Sequence, residues 1–127
     1  MANILVVDDD KGIREILEIV LTQEGYEVTS VEDGVKAIAK CRRQKYDLII
    51  TDLKMPKMDG IEFLKAVKEI SPESLVILIT AFASGETAVK AMQEGAYDYL
   101  EKDFDIEDLK VIVQNALEKK GLNLIFR

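Results

Sequence analysis

Four places along the chain join a short apolar run to reactive polar groups. Asp8, Asp9 and Asp10 follow Ile4-Leu5-Val6-Val7, and Asp52 follows Leu48-Ile49-Ile50-Thr51. Thr80 ends the run 75–79, and Lys102 comes just after the run 97–100. If the first and third runs are neighbouring strands, their ends converge. Two or three carboxylates then stand about 5 Å apart, where each like-charge pair costs roughly 3 kcal/mol at an effective dielectric of about 20. Such a cluster has to bind protons, a cation or both. Lys102 supplies one positive charge. A hard divalent ion supplies the rest, and Mg²⁺ fits because it accepts carboxylates, a carbonyl and several waters. A carboxylate beside Mg²⁺ is able to attack a phosphoryl group and form an acyl phosphate. The metal and Lys102 neutralise the phosphoryl oxygens, and the Thr80 hydroxyl donates to a third. Asp52 is the best candidate for the nucleophile, because it stands singly between the acid cluster and Thr80. Asp8 and Asp9 are better suited to hold the metal.

The elements that must position these groups alternate along the chain. Residues 12–24 carry Ile13, Ile16, Leu17, Val20 and Leu21 at helical spacing, with Asp10 as N-cap and Gly25 as stop. Residues 26–31 alternate imperfectly as a short strand. Asp33 opens a second helix with Val35, Ala37, Ile38 and Cys41, the cysteine read as a packing residue. After the strand at 48–50 comes the loop 53–60, whose Asp59-Gly60 reads as turn chemistry and a helix cap. The third helix carries Ile61, Phe63, Leu64, Val67 and Ile70 and ends before Pro72. Residues 75–79 are a buried strand, 85–94 a helix stopped at Gly95, 97–100 a strand and 105–120 a final helix. Apolar strands each followed by a helix predict a parallel sheet covered on both faces, an α/β fold of three layers.

Composition narrows the functions. The 127 residues suffice for one domain, read as 1–120, with 121–127 as a tail that folds back or begins a linker. Apolar residues at 48% and charged ones at 32% fit a globular domain. Seventeen Lys+Arg against 24 Asp+Glu give a net charge of −7, which argues against nonspecific nucleic-acid binding by this domain. The lack of histidine removes a Ser-His-Asp triad, and the single Cys41 removes an internal disulfide and a cysteine metal cluster. No apolar run reaches the roughly 18 residues of a membrane span. The N-terminus lacks a basic region and a cleavage site, so the expected location is cytoplasmic.

Taken in order, Ile4-Leu5-Val6-Val7-Asp8-Asp9, then residues 52–60, then Ile79-Thr80-Ala81, then Gly95-Ala96-Tyr97-Asp98-Tyr99-Leu100-Glu101-Lys102, resemble response-regulator receiver domains over residues 2–119. The resemblance implies a doubly wound, flavodoxin-like (βα)5 sheet of order 2-1-3-4-5. It implies that Asp52 receives a phosphoryl group from a histidine of a sensor kinase. Asp9, Asp52 and the Lys54 carbonyl would ligate Mg²⁺ directly, with Asp8 acting through water. Thr80 and Tyr99 would form a switch pair. Such a domain is a signalling switch that catalyses its own phosphorylation and dephosphorylation, and not an enzyme acting on other substrates. Its output surface would be the fourth helix, fifth strand and fifth helix, and its readout a phosphorylation-linked homodimer. The run 95–102 looks most like receivers joined to transcriptional activators.

One departure stands out. The family's usual Lys-Pro is Lys102-Asp103 here. A cis bond before a non-proline residue costs about 2.5–4 kcal/mol, so the peptide is either trans with Lys102 displaced, or cis and strained. Asp103 also brings a negative charge beside the one cation, which predicts slower phosphorylation than in a Lys-Pro version. The resemblance implies that Lys54 and Phe82, two residues after Asp52 and Thr80, line the path of the attacking water; neither is good at positioning it, which predicts a long-lived phosphoryl state. Two other functions compete. A phosphatase of the haloacid-dehalogenase type would use Asp8 as nucleophile, but leaves no room for a cap and no role for Asp52. A degenerate receiver would bind partners without phosphorylation.

Overall fold

The computed structural model describes residues 1–55, 57–81 and 85–121. The alternating runs form β1 (Asn3–Val7), α1 (Lys11–Gln23), β2 (Glu27–Val31), α2 (Gly34–Arg43), β3 (Leu48–Asp52), α3 (Gly60–Ile70), β4 (Leu75–Thr80), α4 (Gly85–Gln93), β5 (Asp98–Glu101) and α5 (Ile106–Lys119). All strand pairs are parallel, and the sheet order is β2-β1-β3-β4-β5. The chain leaves β1 for one edge and returns past it to β3, so a crevice opens between the carboxyl ends of β1 and β3. The flavodoxin-like order implied by the resemblance is therefore the observed one.

Side-chain alternation divides the core in two. Leu5, Val7, Ile49, Val76 and Leu78 point to one face, where Ala37 and Cys41 of α2, Phe63, Leu64 and Val67 of α3 and Ala91 of α4 cover them. Ile4, Val6, Leu48, Ile50, Ile77 and Ile79 point to the other, against Leu17 and Leu21 of α1 and Leu109, Val113 and Leu117 of α5. Both faces of β1, β3 and β4 are covered, which is why those strands are apolar almost throughout. β2 lies at an edge and is only partly buried, which accounts for its imperfect alternation.

Acids start four of the helices. The side chain of Asp10 accepts from the Gly12 and Ile13 amides, that of Asp33 from Lys36, that of Asp59 from Glu62 and that of Asp105 from Glu107. Each satisfies an otherwise orphaned amide of the first turn. Gly25 and Gly95, with φ of 91° and 105°, take the left-handed backbone that ends α1 and α4. The fifth strand begins one residue later than its hydropathy suggests. The Tyr97 amide still bonds to the Val76 carbonyl, but the ladder starts at Asp98. Cys41 is buried, and burial pushes its thiol up to about 11, as a packing residue requires. Residues 122–127 of the tail lie outside the described residues.

Candidate functional site

Strand register brings the polar groups together. Val7 pairs with Thr51, so Asp8 and Asp52 emerge side by side from β1 and β3. Asp52 pairs with Ile79, and Thr80 with Glu101, so Thr80 and Lys102 follow on the next two strands. The Lys102 amide donates to the Thr80 carbonyl at 2.9 Å, which fixes the base of the lysine. Its Nζ then reaches back across β4 to 2.8 Å from Asp52 Oδ2 and 3.3 Å from Asp8 Oδ2. One carboxylate oxygen each of Asp8, Asp9 and Asp52 lies within 4.8 Å of the others. Asp8 and Asp52 are buried, while Asp9 is exposed at the mouth.

Backbone groups hold the acids in place. The Asp10 amide donates to Asp8 Oδ1 at 2.9 Å, and the Lys54 amide to Asp52 Oδ1 at 3.2 Å. Arg14 Nη1 donates to the Asp8 carbonyl at 2.6 Å, tying α1 to the end of β1. Burial raises the pKa of Asp8 more than the Asp10 amide and Lys102 lower it, and the Asp52 charge pushes in the same direction as burial. For Lys102, burial acts to lower the pKa. The hydrogen bond to Asp52 and the charges of Asp8 and Asp52 outweigh it and hold the ammonium above its ordinary value.

Three carboxylates against one ammonium leave two negative charges over when all are ionised. The donors are hard oxygens, close enough to share one ion. This set fits Mg²⁺ better than a thiolate- or imidazole-seeking metal.

At Lys102-Asp103 the strained cis alternative is corrected, and of the other alternative the trans bond is present but the displacement of Lys102 is not. The described residues contain no cis peptide bond, and the lysine is not displaced, because the β4–β5 register and its own amide bond already aim it. Asp103 is exposed and turned to solvent. Thr80 is buried, and alternation puts it on the same sheet face as Tyr99, whose register partner is Leu78. Tyr99 is 40% exposed and lines an apolar groove with Ala88, Val89, Met92 and Gln93. Phe82 and Pro56 lie outside the described residues.

The sequence reading missed Arg14 and the full part played by Gly60. A Cβ on Gly60 would lie 2.6 Å from the Leu53 Cα and 2.8 Å from the Asp52 carbonyl oxygen, and the Gly60 amide donates to the Leu53 carbonyl at 2.7 Å. Glycine is needed so that α3 can press on the backbone of the loop that carries Lys54. The Asp-Gly pair signalled a turn, but no pattern in the chain signalled this close approach.

A doubly wound parallel sheet with an acid cluster and a reaching lysine at its switch point defines a receiver-type α/β signalling domain. Comparison with known proteins agrees, since residues 4–114 match the response regulator receiver domain family. The chain is 42% identical over 121 residues to the transcriptional regulatory protein ZraR of Klebsiella oxytoca, covering 95% of this chain and 27% of that protein. It is 38% identical over 120 residues to the transcriptional regulatory protein GlrR of Escherichia coli K12, covering 94% and 27%. Among solved structures, the beryllofluoride-activated NtrC4 receiver domain dimer superposes with a TM-score of 0.89 at 39% identity, covering 94% of this chain and 98% of that one. The chemotaxis response regulator CheY4 of Vibrio cholerae gives 0.86 at 36%, covering 91% and 98%. The chain belongs to the response regulator receiver domain family. It spans about a quarter of the length of the curated relatives it matches.

Proposed function

We propose that this domain is a Mg²⁺-dependent phosphoacceptor switch with Asp52 as the acceptor. What carries the reading is the Lys102 ammonium, 2.8 Å from Asp52 and 3.3 Å from Asp8 at the mouth of a three-carboxylate cluster. Asp9, Asp52 and the Lys54 carbonyl would hold the metal, and Asp8 would act on it through water. When bound, Mg²⁺ supplies positive charge to the transferring phosphoryl oxygens. An Asp52 oxygen forms the new O–P bond as the N–P bond of a sensor-kinase phosphohistidine breaks, and the freed imidazole keeps the electron pair and takes up a proton. Lys102 pairs with the phosphoryl oxygens it meets at Asp52, and the Thr80 hydroxyl donates to another. Water later attacks phosphorus, the bond from phosphorus to the Asp52 oxygen breaks with its electron pair returning to the carboxylate, and inorganic phosphate leaves.

Thr80 and Tyr99 form the switch. Movement of Thr80 toward the phosphoryl group vacates space on the face it shares with Tyr99, and the exposed ring turns inward. The readout lies on α4, β5 and α5, where Val89 and Met92 of α4, Tyr99 of β5 and Val111 of α5 are exposed. The NtrC4 receiver is a dimer when activated by beryllofluoride, and a phosphorylation-linked homodimer is proposed here. The transcriptional relatives support a cytoplasmic chain with an output domain or downstream partner. No described helix is long and apolar enough to cross a membrane. Amide NMR with Mg²⁺, then with beryllofluoride, tests the reading. Shifts centred on Asp9, Asp52 and Lys54, followed by changes at Thr80 and Tyr99, support it. A Mg²⁺ titration that leaves these amides in place refutes it.

A further inference from the structure

The loop between β3 and α3 contains a conformational anomaly. Lys57 has φ of 71°, in the left-handed region that glycine enters freely and a lysine enters at a cost. Its ammonium lies 3.4 Å from Oδ2 of Asp33, a carboxylate only 3% exposed. The other oxygen of Asp33 caps α2 by accepting from the Lys36 amide at 2.8 Å. One residue further on, Met58 packs on Gly34, where an added Cβ would meet the Met58 side chain at 3.2 Å. The described residues of the loop are therefore held at two points: its end on Leu53 through Gly60, and Lys57 and Met58 on the start of α2. Lys54 lies along the chain between Leu53 and Lys57.

We propose that Lys57 is a positioning residue whose ion pair with Asp33 latches the β3–α3 loop to the start of α2 and presets the Lys54 carbonyl for the metal. This rests on the metal reading given above. A loop already ordered before the ion arrives does not lose that freedom on binding, so the latch appears as Mg²⁺ affinity. An ion pair with one exposed partner is worth a factor of about two to five in an equilibrium.

The sign of the effect makes the test sharp. Lys57→Met removes a positive charge near an acidic site, which by electrostatics alone tightens Mg²⁺ binding. Loss of the latch does the opposite. Mg²⁺ dissociation constants from amide NMR shifts are to be compared for the unaltered chain, Lys57→Met, Lys57→Arg and Asp33→Asn, with thermal unfolding in metal-free buffer alongside. Asparagine retains the helix cap. The latch predicts two- to fivefold weaker binding in Lys57→Met and Asp33→Asn, no further loss in the double variant, and recovery in Lys57→Arg. Unchanged or tighter binding in Lys57→Met overturns the latch, whatever happens to unfolding. An unaltered chain that fails to bind Mg²⁺ overturns the metal reading, and the latch with it.

Discussion

Burial keeps the Asp8 carboxyl above its ordinary pKa of 3.8. The stability this contributes is therefore complete below that value and is lost as pH rises through the raised one. In metal-free buffer near neutral pH, Asp8→Asn is expected to stabilise the fold and to flatten its loss of stability with rising pH. Urea unfolding with and without Mg²⁺ checks this, and on the proposed metal reading the variant should also lose the stabilisation that bound Mg²⁺ would give. At Lys102-Asp103 only the charge argument for slower phosphorylation survives, because the lysine is already within reach of Asp52. The carboxylate at 103 is exposed and screened. Asp103→Pro should then phosphorylate faster by a small factor, and equal rates with acetyl phosphate would remove the idea. The acids at the strand ends were legible because buried runs stopped at them. The path of Lys102 was not, because it depends on register and on the amide bond to Thr80 rather than on residue type.

Helices and strands were legible where local chemistry decides them. Asp10, Asp33, Asp59 and Asp105 each cap the helix their type suggested, since a short acid before an amphipathic run has few other uses. β2 and β5 were harder to bound, because edge strands are half-covered and their alternation is weak. The strand order came from the resemblance, as hydropathy says that strands are buried but not which are neighbours. The β3–α3 loop was least legible. The left-handed Lys57 and the contact of Gly60 with Leu53 are tertiary facts with no periodic signature. Gly60→Ala should cost about 2–3 kcal/mol in urea unfolding, because the new Cβ meets backbone rather than a side chain able to move. A loss below about half a kcal/mol would mean that α3 yields easily at this point.

Across the whole molecule, the acid cluster of Asp8, Asp9 and Asp52 and the apolar groove beside Tyr99 are lined by different residues, and the proposed switch has to connect them. Thr80 in β4 and Tyr99 in β5 share a sheet face, which supplies a short route from the site to α4. With beryllofluoride and Mg²⁺ the domain is expected to dimerise in analytical ultracentrifugation. Val89→Glu should keep it monomeric while leaving the adduct intact, since Val89 is exposed on α4 and away from the cluster. A dimer unaffected by this change would move the interface elsewhere. The central claim is that Asp52 takes the phosphoryl group and needs a divalent ion to do so. Incubation with acetyl phosphate, followed by mass spectrometry of the intact chain and its peptides, tests this most directly. A single phosphoryl adduct on Asp52, not formed when Mg²⁺ is chelated beforehand and absent from Asp52→Asn, is the expected result. An adduct on Asp8, or equal labelling of Asp52→Asn, would contradict it.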